Sequence, residues 1–266
     1  MARGVQVVAH RGSSQAHPEH TLQAFEAALD DGADALECDI RLTRDGVLVC
    51  VHDRRVDRTS DGRGVVSTLE LSELHELDFA SWKGGARATS ALAEEPDRDS
   101  GRVLTLERLL QLVLDQDRPV QLQVETKHPT RYGALVESAL VDLLDRYRLL
   151  APRSRAASRV AVLSYAPVSL RRVHAMAPLL PTVLNRNWVP VPARAWVLPA
   201  HVWAAGIRLQ VVRAQPHLVE RVHRAGGRVH VFTVDEPEDI DFLLRLDVDA
   251  IVSNEPARVL QHVGRA

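Results

Sequence analysis

Short clusters of polar residues close several aliphatic runs in this chain, and their types suit phosphate chemistry. His10 and Arg11 follow Val7-Val8-Ala9, Glu37 and Asp39 lie in Leu36-Glu37-Cys38-Asp39-Ile40, and His52 follows Val49-Cys50-Val51. A further run ends Gln123-Val124-Glu125-Thr126-Lys127. Residues two apart on a strand point to the same side. Glu37 and Asp39 therefore share a face, with Cys38 on the other, and Glu125 shares a face with Lys127. Neighbouring carboxylates repel, and a bound cation is the usual reason to keep them together. Three carboxylates with room for water suit a hard divalent cation, Mg2+ or Ca2+. Zinc prefers nitrogen and sulfur, although His10 or His52 could in principle complete a zinc site. A histidine near its ordinary pKa is as well suited to proton transfer. Arg11 and Lys127 beside a cation make an anion site, since guanidinium matches phosphate oxygens in pairs. Together these groups describe phosphoester cleavage: one histidine activates the nucleophile and the other protonates the leaving oxygen.

Such residues need a scaffold that brings distant strand ends together. Strand-like segments fall at 5–10, 34–40, 119–125, 160–164, 181–185, 207–211, 228–232 and 249–253. Helical patterns lie between them at 19–31, 105–115, 131–148, 167–177, 193–205, 216–225 and 237–246. Gly32 and Gly226 after helices, and prolines at first turns, fit helix punctuation. Strands alternating with helices argue for α/β, and eight such units favour a (β/α)8 TIM barrel over an open sheet. No glycine-rich dinucleotide fingerprint follows the first strand, which counts against the open alternative. In a barrel, chemistry collects at the carboxyl ends of the strands, where these polar groups fall. The alternation breaks between about 41 and 103, where Arg44-Asp45-Gly46 is a hairpin signal followed by Gly62, Gly64, Gly84, Gly85 and a polar run over 94–101. We expect an insertion after the second strand, over the top of the barrel, within one domain spanning 1–266.

The chain has 266 residues, enough for one large core, with 45% hydrophobic and 26% charged residues and a formal net charge of −2. That charge argues against a nucleic-acid binder. No apolar run of 18 residues is present, so no stable membrane insertion is expected. The opening Met1-Ala2-Arg3-Gly4 lacks the apolar segment of a signal peptide. Two cysteines, Cys38 and Cys50, suggest buried thiols rather than a disulfide framework, and a cytoplasmic protein is expected.

With these residues in view, the chain resembles the glycerophosphodiester phosphodiesterases. The resemblance is carried by His10-Arg11-Gly12, Pro18-Glu19-His20-Thr21, the stretch from Gly32 to Asp39, Thr43-Arg44-Asp45-Gly46 with Val49-Cys50-Val51-His52-Asp53, and Glu125-Thr126-Lys127. Looser blocks follow at Phe232-Thr233-Val234-Asp235 and from Asp249 to Pro256. The resemblance implies a barrel with a small insertion and a glycerophosphodiester substrate, cleaved to an alcohol and sn-glycerol 3-phosphate. It also implies one divalent cation held by Glu37, Asp39 and Glu125. His10 and His52 would be general acid and base, and Arg11 and Lys127 would contact the phosphate.

The departures lie outside that set. His20 replaces the family's asparagine and reads as a solvated substitution beside Thr21, which could cap the following helix. Phe232 for tryptophan and Asn254 for aspartate would alter the rim. Asp53 reads as a salt-bridge partner of Arg54, Arg55 or Arg58, while Trp188 and Trp203 read as core. Two other functions fit the same fold. A phospholipase-type barrel would need an apolar rim, against an aromatic content of 4% and no amphipathic surface helix. A non-catalytic phosphate-binding protein would be marked by loss of a histidine or carboxylate, and none is lost. A glycosidase leaves Arg11, Lys127 and the histidines without a role, and Ser164 lacks the G-x-S-x-G elbow of a serine hydrolase.

Overall fold

The structure is a computed structural model that describes residues 4–84, 101–189 and 198–265. Its strands are β1 (Gln6–His10), β2 (Ala35–Leu42), β3 (Leu48–Cys50), β4 (Gln121–Thr126), β5 (Val160–Ser164), β6 (Thr182–Arg186), β7 (Ala204–Arg208), β8 (Arg228–Phe232) and β9 (Ala250–Ser253). All but β3 run parallel, each paired with its neighbours in the order β1, β2, β4 to β9. The ring closes where β1 pairs with both β2 and β9. This is the closed eight-stranded barrel expected from the alternation. The helices are α1 (Leu22–Asp30), α2 (Leu71–His75), α3 (Leu106–Leu114), α4 (Leu135–Arg146), α5 (Pro167–Met176), α6 (Leu209–Ala214), α7 (His217–Arg224), α8 (Pro237–Arg245) and α9 (Pro256–His262).

Period-two alternation sorts the strand side chains. Outward Leu36, Cys38, Ile40, Leu122 and Val124 pack with Phe25, Leu106, Leu109 and Leu140 in the layer between barrel and helices. Inward residues form two small apolar groups, one of Val8, Ala35, Ala250 and Val252 and one of Ala161, Leu163, Val183 and Ala204. Small side chains there leave space inside the barrel for the polar groups at its mouth. Thr21 caps α1, its Oγ1 accepting from the Ala24 N–H at 3.2 Å.

Between β2 and α3, β3 returns antiparallel to the end of β2, pairing Ile40 with Cys50 and Leu42 with Leu48. A separate apolar cluster, with Val49, Val56, Leu74 and Phe79, supports the turns that follow. The hairpin and these turns occupy the expected insertion, of which 85–100 lies outside the described residues.

Four details differ from the sequence expectation. The strand expected at 207–211 lies at Ala204–Arg208, and α6 starts at Leu209. The small residues Ala204-Ala205-Gly206 have weak strand propensity, but the barrel needs them there because a side chain at 206 would strike Asn185. Of the helix expected at 193–205, 193–197 lies outside the described residues, and the rest runs into β7. Helix α9 was not expected. Trp188, expected in the core, is 69% exposed, because it follows the end of β6 at the mouth rather than lying in a strand. No helix among the described residues is long and apolar enough to cross a membrane.

Candidate active site

At the carboxyl ends of the strands, a cavity of about 450 Å3 is lined by His10, Arg11, Glu37, His52, Glu125 and Lys127, with Tyr165, Asn185, Arg208 and Phe232 farther round its wall. One ligand atom from each of Glu37, Asp39 and Glu125 lies within 4.8 Å of the others, and all three side chains are buried. The barrel register explains the meeting: Glu37 is opposite His10 across β1–β2, and Asp39 is opposite Glu125 across β2–β4. The seven residues singled out in sequence therefore stand around one mouth.

Crowding sets their electrostatics. Burial, then Asp39 and Glu125, push the Glu37 carboxyl well above the usual carboxylate range. Burial and Asp39 likewise raise Glu125. Burial would also raise Asp39, but Lys127 and Arg11 outweigh it and hold Asp39 far below its ordinary value. Lys127 Nζ stands 2.8 Å from Asp39 Oδ1 and 2.6 Å from Glu125 Oε1. Arg11 Nε is 3.0 Å from Asp39 Oδ2, close enough for an ion pair but too poorly aligned for a hydrogen bond. Asp39 Oδ2 is thus buried without a hydrogen-bond donor, beside two carboxyls that burial makes costly to ionise. An all-oxygen donor set with a spare lone pair fits a hard divalent cation.

The histidines have different supports. Asn254 Nδ2 donates to Asp235 Oδ2 at 2.8 Å, which turns Asn254 Oδ1 toward His10 Nδ1, also at 2.8 Å. Ser14 Oγ donates to the same oxygen at 3.0 Å. His10 must then carry its proton on Nδ1. Burial, then the Arg11 charge, lower His10 to about 4. His52 Nδ1 instead lies 2.7 Å from a carboxylate oxygen of Asp53. Burial lowers His52 as well, opposed by Asp39 and Asp53. Arg41 fixes the His52 backbone by donating to its carbonyl through Nε at 3.1 Å and Nη2 at 2.7 Å.

Several of these partners were missed in sequence. Asn254 is more than a rim residue, since it orients His10. Asp53 pairs with Arg58, one of the partners considered for it, and also holds His52. Burial would raise the Asp53 carboxyl, but its bonds to Arg58 and His52 hold it at about 2. Asn185 Nδ2 donates to Glu125 Oε2 at 2.9 Å, and the only signal was a polar residue late in a strand. His20 is a correction. It is buried, and its Nε2 accepts from the Asp39 N–H at 3.0 Å. Burial, partly offset by Asp39, lowers this ring to about 3, so the approach of 3.5 Å to Asp39 Oδ2 is not a charged pair.

A wider depression at the opposite end of the barrel is lined by Gln6, Trp203, Arg228 and Asp249. Arg228 and Asp249 there are engaged with each other, Asp249 accepting from Arg228 at 3.0 Å and lying 2.8 Å from His223.

Comparison with known proteins agrees with this geometry. The model of the glycerophosphoryl diester phosphodiesterase family matches residues 10–258. A protein of Mycobacterium tuberculosis named probable glycerophosphodiester phosphodiesterase 1 is 46% identical over 254 residues, 95% of this chain and 90% of its own length. A glycerophosphodiester phosphodiesterase of Caldanaerobacter subterraneus is 31% identical over 97% of both chains. In fold, the chain is similar to an Oleispira antarctica phosphodiesterase solved with sn-glycerol-3-phosphate, at a TM-score of 0.82 and 24% identity over 97% of this chain and 96% of that one. With the family model running from His10 past Asn254 and relatives matched over nearly their full length, the chain belongs to the glycerophosphoryl diester phosphodiesterase family and is an enzyme.

Proposed function

We propose that the chain hydrolyses glycerophosphodiesters to an alcohol and sn-glycerol 3-phosphate, using a divalent cation, Mg2+ or Ca2+, held by Glu37, Asp39 and Glu125. The observation that carries this reading is the cluster of three buried carboxylates, Glu37, Asp39 and Glu125, at a cavity that His10, His52, Arg11 and Lys127 also line. When bound, the cation would neutralise phosphate oxygens and the charge that builds on them. Arg11 and Lys127, which line the same cavity, would hold the remaining oxygens.

The histidine supports favour a division of labour. His10 gives Nδ1–H to a neutral amide and keeps an unprotonated Nε2, the form of a general base. It takes a proton from the attacking hydroxyl. Burial lowers His52 too, but that ring is less enclosed than His10 and has a carboxylate behind it that opposes the lowering. Of the two it is therefore the better placed to carry and give a proton. It gives a proton to the departing alkoxide. Two free, buried cysteines suit a reducing compartment, and we read the setting as cytoplasmic.

The test is release of glycerol 3-phosphate from a panel of glycerophosphodiesters by chelator-stripped protein, before and after Mg2+ or Ca2+ is returned. Metal-restored release that disappears in His10→Ala is expected. No release with any metal or head group, from folded protein, would overturn the reading in favour of lipid cleavage or simple ligand binding.

A further inference from the structure

One side chain ties together the loops that carry the two histidines. Arg58 Nε donates to Asp53 Oδ2 at 2.6 Å, while its Nη1 and Nη2 donate to the two oxygens of Glu19 at 2.9 and 2.7 Å. Asp53 turns its other oxygen to His52. Glu19, in the loop after β1, also accepts from Arg11 Nη1 at 3.0 Å. His52 is thus at one end of an unbroken series of charge-assisted contacts, and Arg11 is at the other. The insertion braces the junction. The Trp82 ring centroid lies 5.8 Å from the Arg58 guanidinium, and neighbouring Lys83 donates to the backbone carbonyls of Ser14 and His17.

The Arg58 side chain is 43% exposed and that of Glu19 13%, so the forked pair adds to stability as part of a network, where an isolated wet pair would contribute roughly 0–1 kcal/mol. A planar guanidinium with three directed bonds does fix angles as well as distances, which an ammonium cannot do. We propose that Arg58 is a positioning residue for proton donation: anchored on Glu19, it holds Asp53 so that Asp53 aims His52 at the leaving oxygen. The proposal rests on the phosphodiesterase reading above.

Leaving-group chemistry provides the test. An alkyl alcohol needs a proton to depart, whereas p-nitrophenolate leaves without one. The purified full chain and its Arg58→Gln and Arg58→Lys variants would be compared on glycerophosphoglycerol and on the p-nitrophenyl ester of glycerol 3-phosphate, with thermal melts as the check on folding. We expect Arg58→Gln to lower kcat on the alkyl diester by about 10–100-fold, the scale of a misplaced or lost acid, with aryl ester turnover close to wild type. Arg58→Lys keeps the charge but not the fork, so it should show the same selective deficit, and it decides the matter if the glutamine variant does not fold. Asp53→Asn should reproduce the pattern. Equal losses on both esters, or no loss on either, would overturn the positioning role. Wild-type protein that cleaves neither ester would instead remove the phosphodiesterase reading, and this proposal with it.

Discussion

His20 occupies a left-handed backbone conformation, φ 62°, that asparagine adopts more readily than most residues. Its imidazole still does what a side-chain amide oxygen could do there, accepting a buried N–H from the strand that carries Asp39. Removing it should therefore matter more than a surface change. His20→Ala leaves the Asp39 N–H without that acceptor, and we expect a loss of about 1–3 kcal/mol in urea unfolding. His20→Asn should recover much of this loss. At the site itself, His10→Ala and His52→Ala should each lower kcat by roughly 10²–10⁴-fold on alkyl diesters with the fold intact. Near-normal turnover by either would end its assigned role. Glu37→Gln should act chiefly on cation affinity, read by calorimetric titration, and by more than the roughly 10–100-fold typical of losing a supporting partner. The charged and titratable set around the cavity was legible because each member stands near a strand end, with Glu37 and Asp39, and Glu125 and Lys127, two apart on one face. The asparagine supports were not, because they are relations between distant segments: Asn254 meets His10 across 244 positions, and Asn185 meets Glu125 across 60.

At the scale of elements, two places join packing to chemistry. A Cβ on residue 206 would collide with Asn185 Oδ1 and touch Val183. Gly206→Ala should push Asn185 away from Glu125, weakening cation binding and costing about 1–3 kcal/mol in a thermal melt as overpacking does. Activity and melting unchanged in that variant would show that β6 and β7 have slack. In the second place, α4 presents Glu137, fully buried, 3.1 Å from His128 and 3.4 Å from Arg172 just beyond the strand that carries Glu125. Burial would raise its carboxyl, but the close His128 ring, then its own backbone N–H and Ser169, hold it at about 2, below its ordinary 4.5. A lowered folded pKa contributes stability that is complete above the unfolded value and fades as pH falls toward 2. The stability gap between wild type and Glu137→Gln should accordingly be wide at pH 7 and narrow at pH 3, as melts at both values would show. Most elements were readable from period and punctuation. β7 was not, since Ala204-Ala205-Gly206 serve the barrel interior and local propensity favours the Ile207–Val211 run instead.

For the whole molecule, the cation and the fold should be linked. Three buried carboxyls, two of them still raised by burial and mutual repulsion despite Arg11 and Lys127, disfavour the folded state until further positive charge arrives. Saturating Mg2+ or Ca2+, at about 100 times its Kd, should add about 2.7 kcal/mol to unfolding stability, and chelator should remove it. A melting temperature indifferent to both would count against a cation at Glu37, Asp39 and Glu125. The barrel wall also separates two chemistries by the thickness of one strand. Cys38 lies between Glu37 and Asp39 in sequence but on the opposite, apolar side, and it is fully buried, with Cys50 nearly so. A thiol reagent can reach Cys38 only when the wall opens, so the rate of labelling is a clock for the opening of β2. A cation drawn to the inner face of that strand would slow the clock on its outer face, and the two thiols would thereby report, without any substrate, whether the mouth of the barrel is occupied.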